Sequence, residues 1–275
     1  MYMRLKDGKK KVFTLSYDDG VVQDIRLIKL MDQYAVKGTF NINSGCYLPE
    51  EQQRERYYGR MKRSEAVALF QNSNHEVAIH GYAHAELPQL RGVDLLNEIR
   101  EDRLAAERDY GTIVRGMAYA FGAYTEEALE AMKLCGICYS RTTTSTTKFR
   151  FPENWLTWHP TCHHKNPQMP ALADKFLRIK LDPTDGPRMF YVWGHSYEFD
   201  NDDNWELIEE LFQKVGGKED IWYATNMEIY DYVQAYRSLI VSMDGKIVQN
   251  PTTMDVWFSD GKTTHCVRSG ETLHI

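Results

Sequence analysis

Two carboxylates stand side by side in Ser16-Tyr17-Asp18-Asp19-Gly20, directly after the apolar run Val12-Phe13-Thr14-Leu15. Like charges a few ångströms apart raise one another's pKa, so something must offset the repulsion, and a metal cation is the usual candidate. The chain supplies further donors in His80-Gly81-Tyr82-Ala83-His84, which follows a second apolar run, Val77-Ala78-Ile79. One carboxylate with two imidazoles is a common ligand set for a hydrolytic divalent metal that leaves positions open for water. A later histidine, His195, closes Val192-Trp193-Gly194-His195, and its near-neutral pKa suits proton transfer. Each motif alone is weak. An isolated Asp-Asp-Gly most often marks a turn, paired histidines often lie free on a surface, and a lone histidine is often a satisfied core residue.

Elements that could bring these residues together follow from the apolar periodicity. The pattern predicts strands at Val12 to Ser16, Gly38 to Asn43, Glu76 to His80, Gly116 to Phe121, Ile137 to Arg141, Trp155 to His159, Met189 to Trp193 and Ile221 to Ala224. Between them it predicts helices from Val21 to Tyr34, from Ser64 to near Asn72-Ser73-Asn74, from Val93 to Tyr110 and from Glu126 to Leu134 behind a Thr125 cap. Further helices fall at Ala171 to Ile179, Trp205 to Val215 and Met227 to Ser238. The apolar positions are Val22, Ile25, Ile28 and Leu30-Met31 in the first helix, and Leu95, Leu96, Ile99 and Leu104 in the third. Gly45 to Arg60 reads as a long polar connection of the kind that lines active sites. Alternating strands and helices imply a parallel sheet, and their number suggests an α/β chain closed into a distorted barrel of about seven strands. In such a barrel chemistry sits where strands end, and Asp18, Asp19, His80 and His195 all fall there. Beyond Ser238, short alternating runs divided by Asp244-Gly245 and Asp260-Gly261 read as hairpins. The chain is therefore expected to divide into a barrel over residues 1–238 and a small β appendage over 239–275.

The 275 residues are enough to bury a large core, and the formal charge of −6 argues against nucleic acid or an anionic membrane as partner. The first residues lack the apolar core of a secretory signal and no stretch is long enough to span a bilayer, so a cytoplasmic location is expected. Five cysteines at irregular spacing fit that compartment and do not read as a disulfide framework. Cys135-Gly136-Ile137-Cys138 has redox-motif spacing but closes a helix where such motifs open one, so it reads as core packing. The appendage is a candidate for self-association into a homo-oligomer.

In this order and on these elements, the motifs resemble those of the polysaccharide deacetylase family, carbohydrate esterases with a NodB-type domain. Ser16-Tyr17-Asp18-Asp19-Gly20 is similar to the family's Thr-Phe-Asp-Asp-Gly, and His80-Gly81-Tyr82-Ala83-His84 to His-Ser/Thr-x-x-His with glycine in place of the hydroxyl. Val192-Trp193-Gly194-His195 matches the late Leu-x-His. The resemblance covers about residues 10–236. It implies that Asp19, His80 and His84 bind one divalent metal, with zinc first and cobalt, nickel, manganese or iron as alternatives. It further implies that Asp18 is the general base for a water attacking an acetyl carbonyl, and His195 the general acid. The third family motif, Arg-Pro-Pro-Tyr-Gly, is replaced by Ala118-Tyr119-Ala120-Phe121-Gly122, so the arginine that pairs with the base is missing from its place. Arg115 is out of register, and Arg141 is a candidate to supply the charge from the neighbouring strand. The Phe121 backbone would be the oxyanion donor. The Asp and Trp of the fourth motif are not identifiable, with Asp174 and Asp182 as weak candidates.

Tyr119, Phe121, Trp193 and His159 are candidate substrate contacts at the mouth, since aromatic faces stack on sugars. The cluster His159-Pro160-Thr161-Cys162-His163-His164 is open to a cleft-lining or second-metal role, although loop histidines without a ligand role are the simpler reading. The expected activity is hydrolysis of an N-acetyl group, or of an O-acetyl group, from a sugar or oligosaccharide. The alternatives are an amidohydrolase acting on a small non-sugar amide and a carbohydrate-binding barrel without catalysis.

Overall fold

A computed structural model describes residues 1–53, 59–71 and 73–275. Residues 54–58 of the expected Gly45–Arg60 connection, and Asn72 at the expected helix end, lie outside the described residues. In chain order the strands are β1 (Tyr2–Met3), β2 (Lys11–Asp18), β3 (Thr39–Ile42), β4 (Glu76–Ile79), β5 (Gly116–Ala118), β6 (Tyr139–Arg141), β7 (Cys162–His163), β8 (Arg188–Gly194) and β9 (Ile221–Tyr223). The C-terminal strands are β10 (Ile240–Val241), β11 (Ile247–Gln249), β12 (Val256–Ser259), β13 (Thr264–Val267) and β14 (Thr272–His274). The helices are α1 (Asp24–Gln33), α2 (Arg63–Phe70), α3 (Gly92–Tyr110), α4 (Glu126–Leu134), α5 (Met169–Arg178), α6 (Tyr197–Asn201), α7 (Glu206–Val215) and α8 (Asn226–Arg237). None of the helices among the described residues is long and apolar enough to cross a membrane.

The main sheet is parallel, in the order β6-β5-β4-β3-β2-β8-β7, with β9 paired to the lower part of β2. It curls on itself. The segment after the 3-10 turn Trp155–Thr157 bridges the two ends of that order: Thr142 N–H donates to the Trp158 carbonyl at 3.0 Å, and Thr161 N–H to the Tyr191 carbonyl at 2.8 Å. This corrects the strand expected over Trp155 to His159, where a tight turn and a single bridge between Arg141 and Trp158 stand instead. Asn154 caps that turn by accepting from Leu156 N–H, a local bond that competes with a ladder.

Because side chains alternate along a strand, β2 divides cleanly. Phe13, Leu15 and Tyr17 join the apolar cluster that meets the helices, with Leu27 and Met31 of α1, Phe176 of α5 and Phe212 of α7. Val12 belongs to the second cluster with Tyr139, Trp158, Tyr191, Trp222 and Tyr232. On that same face Thr14, Ser16 and Asp18 follow, each buried, so the barrel interior turns polar toward the C-terminal end of β2. Two expected helix faces shift. Ile25 and Leu104 are exposed, while α1 buries Asp24 and α3 buries Glu98 and Asp102. The buried faces include carboxylates because these serve the loops above, as the site shows.

The appendage consists of two three-stranded antiparallel sheets, β1-β12-β13 and β10-β11-β14. The first two strand residues, Tyr2 and Met3, pair with Ser259 and Phe258, so the chain's beginning, expected within the barrel unit, is stitched into the C-terminal part. Val248, Val256, Phe258 and Val267 pack with Ala235 of α8. The Tyr232 hydroxyl donates to the Arg4 carbonyl and accepts from Trp257 N–H.

Candidate active site

The carboxylates of Asp18 and Asp19 would point to opposite faces if the strand continued, but Asp19 has φ +88° and Gly20 φ +62°. This left-handed turn, unusual for a residue with a side chain, brings both acids toward one imidazole. His80 Nε2 lies 3.8 Å from Asp18 Oδ2 and 3.9 Å from Asp19 Oδ1. His84 Nε2 lies 3.5 Å from the same Asp19 oxygen. The donor atoms of Asp19, His80 and His84 all fall within 4.8 Å of one another.

Those three residues fit a divalent ion. Asp19 Oδ1 is buried without a hydrogen-bond partner among the described residues. Arg60 Nη2 reaches it at 2.9 Å as a charge contact only, while Arg60 Nη1 donates to the Asp19 carbonyl and to Asn43 Oδ1. His80 Nδ1 is 2.8 Å from the Ala118 carbonyl, which fixes the tautomer and leaves the Nε2 lone pair facing the acids. Burial lowers the pKa of His80 and of His84, and in His84 the neighbouring His80 adds to this, so both rings favour the neutral form that a ligand requires.

The backbone carrying the two histidines is held from α3. Asp102 accepts from His80 N–H at 3.0 Å and from Ser44 N–H at 2.8 Å. Glu98 Oε1 accepts from Ala83 N–H and Ala85 N–H, each at 3.0 Å. Gly81 has φ +87°, and a Cβ on it would stand 2.8 Å from Glu98 Oε1. Glycine in place of the family's hydroxyl residue is thus required by both the backbone and the carboxylate beneath it.

Asp18 is clamped on its other side. Arg141, fully buried, donates from Nη2 to Asp18 Oδ2 and from Nε to Ser16 Oγ at 3.2 Å, and lies 4.3 Å over the Trp193 ring. Asn41 Nδ2 donates to Asp18 Oδ1 at 2.8 Å. Burial alone would push the Asp18 carboxyl up, but Arg141, with His80 and His195, outweighs it and holds the pKa at about 2. Arg115 is elsewhere, paired through Nη2 with both oxygens of Asp231.

His195 faces Asp18 from the end of β8, with Nε2 3.9 Å from Asp18 Oδ2. Its Nδ1 is 3.1 Å from Glu198 Oε2, one turn along the chain in α6. Burial opposes the charged imidazole, but Glu198 together with Asp18 and Asp19 raises the His195 pKa above its ordinary value. Glu198, in turn, is held below the usual carboxylate range: burial pushes it up, and bonds to His163 and His195 more than reverse this. Asp174 and Asp182, the weak candidates for a carboxylate beside this histidine, stand elsewhere; the carboxylate at His195 is that of Glu198. Asp174 pairs with Lys214 on the helical exterior, and the Asp182 N–H and carbonyl engage a turn at Asp185.

The other expected contacts divide. Phe121, φ +60° and 65 % exposed, stands with its ring 4.9 Å from His84. Trp193 is buried as the wall behind Arg141. His159 Nδ1 is 2.5 Å from Thr142 Oγ1 and lines a cleft of about 300 Å³ with Thr146, Lys148 and Arg150. Tyr119 does not face the mouth. Its ring lies in the helix-side core against Tyr124, with the hydroxyl donated to the Leu156 carbonyl at 2.7 Å, because the chain leaves β5 at Ala118, three residues earlier than expected.

Sequence reasoning missed Glu198, Arg60, Asn41, Glu98 and Asp102. Glu198 had a signal in its three-residue spacing from His195 at a helix start; the others carry none.

Comparison with known proteins bears on the family and the fold. The family model for polysaccharide deacetylase matches residues 5–140. Among solved structures, a family 4 carbohydrate esterase from Streptomyces lividans in complex with acetate is similar at TM-score 0.52 and 13% identity, covering 78% of this chain and 91% of that one. The peptidoglycan deacetylase PdaC from Bacillus subtilis is similar at TM-score 0.50 and 17% identity, covering 85% and 95%. A CE4-family pseudoenzyme from Bacillus anthracis is similar at TM-score 0.50 and 15% identity, covering 84% and 68%. No curated protein matches the chain. With the curled parallel sheet, the paired aspartates and the two histidines on one rim, the family match over the first half of the barrel leads to one conclusion: this chain belongs to the polysaccharide deacetylase family.

Proposed function

We propose that this protein is a metal-dependent deacetylase that hydrolyses the N-acetyl group of a sugar or oligosaccharide, with an O-acetyl sugar as the nearest alternative substrate. The observation that carries the reading is the position of Asp18. It is a buried, ionised carboxylate beside the Asp19, His80 and His84 donors, with Arg141 behind it and His195 across from it. Asp19, His80 and His84 would hold the divalent ion, zinc first by the chemistry of the donor set. When bound, such an ion supplies Lewis-acid polarisation of the acetyl carbonyl and of the attacking water.

Asp18 receives the proton of that water through Oδ2. Asn41 and Arg141 fix the orientation of the carboxylate, so little reorganisation is needed during the reaction. Arg141 also limits basicity, keeping the carboxylate deprotonated until water is engaged. His195 carries its proton on Nε2 while Glu198 holds Nδ1, and it delivers that proton to the departing amine or alkoxide. The Phe121 backbone, in its left-handed turn beside His84, is positioned for the developing oxyanion.

The test is acetate release from N-acetylglucosamine oligomers and from O-acetylated sugars. Acetate should appear, cease after chelation and return on adding zinc. Full activity after exhaustive metal removal would overturn the reading. A second reading, a barrel that binds sugar without cleaving it, draws support from the pseudoenzyme among its structural neighbours. Sugar binding with no acetate release in the zinc-loaded wild type would favour it.

A further inference from the structure

Glu198 gathers more nitrogen than one acid histidine requires. Its Oε2 lies 3.1 Å from His195 Nδ1, 3.1 Å from His163 Nε2 and 3.4 Å from His164 Nε2. The donor atoms of His163, His164 and Glu198 fall within 4.8 Å of one another, as compact a group as that of Asp19, His80 and His84. His164 is 1% exposed, and its Nε2 is buried with no hydrogen-bond partner among the described residues. An orphaned polar atom at such depth is costly. The ring is firmly placed: it stacks on Phe199 at 4.3 Å, and its Nδ1 lies 3.3 Å from the Tyr17 hydroxyl. Gly194 leaves it room, since a Cβ there would stand 2.0 Å from Nδ1. The second carboxylate oxygen is near Lys165 at 3.8 Å, but Lys165 is drawn to Asp202 at 2.7 Å, while Oε2 faces the imidazoles and also accepts from the His195 backbone N–H at 3.1 Å. His163 is partly exposed and gives an ion a way in from solvent.

We propose that His163, His164 and Glu198 form a second divalent-cation site, separate from the Asp19, His80 and His84 group, which takes zinc or another imidazole-preferring metal and inhibits the enzyme when filled. Two imidazoles and one carboxylate select such metals over magnesium or calcium. An ion on Oε2 removes the acceptor that holds His195 Nδ1, so the leaving group loses its proton donor. This inhibitory consequence rests on the proposed deacetylase reading, whereas the site itself does not.

The experiment titrates zinc into metal-free protein by calorimetry, with elemental analysis after desalting. Wild type should retain about two ions per chain, and His80→Ala/His84→Ala about one. Adding His163→Ala, or His163→Gln as a milder change, to that double variant should abolish the remaining ion. Absence of zinc from the double variant, or its persistence without His163, overturns the site. In an assay for acetate release, zinc beyond the first equivalent should slow wild type at least fivefold and spare His163→Ala. Equal inhibition of both would overturn the inhibitory role.

Discussion

At the residue scale the proposed chemistry turns on one buried carboxylate and what surrounds it. Asp18 is 2% exposed and receives Arg141 on one oxygen and Asn41 on the other. Asp18→Asn should lower kcat by about 10²–10⁴, the usual share of a positioned base, while zinc content stays the same. Parallel loss of metal and rate would make Asp18 a ligand instead. Arg141→Gln removes the cation that outweighs burial, so the Asp18 pKa should rise from about 2. The acid limb of kcat/KM then moves to higher pH, and an unmoved limb would refute the pairing's role. The same substitution leaves a buried charge unpaired and should cost about 3–5 kcal/mol of stability, measured by urea unfolding. Asp18 and Asp19 are readable from sequence as a costly pair, whereas the partner that stabilises the first, 123 residues away, is a candidate only because the third-motif arginine is missing from its place.

At the element scale the loop after β4 depends on α3. Glu98 and Asp102 stand one turn apart on that helix and accept the backbone N–H groups of the loop that bears His80 and His84. Helical periodicity predicts an apolar buried face, and the exposed Leu104 shows where that reading fails: carboxylates hold part of the face because the loop's backbone needs acceptors. Gly81→Ser puts a Cβ against Glu98 and forces a left-handed residue to carry a side chain. Zinc affinity at the first site should fall about 10–100-fold, as when supporting contacts of a metal centre are disturbed. A competition titration against a chromogenic chelator measures it, and an affinity within twofold of wild type would show that the loop tolerates the side chain.

For the whole molecule, the far end of the barrel is tied by Glu76. It accepts from Tyr139 Oη at 2.6 Å, Thr39 Oγ1 at 2.8 Å and Met227 N–H at 2.8 Å, joining β3, β4, β6 and α8. Burial pushes its pKa from 4.5 to about 7, more than these bonds lower it. The native protein therefore keeps a proton that the unfolded chain has lost, and Glu76's contribution to stability declines as pH rises from 4.5 to about 7. Urea midpoints at pH 5 and pH 8 should differ less in Glu76→Gln than in wild type, and identical differences would contradict the assignment. The appendage is expected to unfold with the barrel, since Phe258 is fully buried and β1 pairs into its sheet. Phe258→Ala should cost the main unfolding transition about 3–5 kcal/mol. A main transition that stays put would show that the appendage melts by itself.

The sequence by itself determined the parallel α/β plan and the rim on which the chemistry gathers. Periodicity marks strands and helices, and parallel strands must all end on one side, so Asp18, Asp19, His80 and His195 needed no coordinates to be assigned to a common mouth. Apart from Arg141, already a candidate from the sequence, tertiary structure decided who serves them. The sheet, in the order β6-β5-β4-β3-β2-β8-β7, curls so that Arg141 at the end of β6 reaches Asp18 across the barrel; Arg60 reaches Asp19 from a loop, and three imidazoles meet on Glu198. Local pattern records what a segment buries. Curvature and strand order set what it touches.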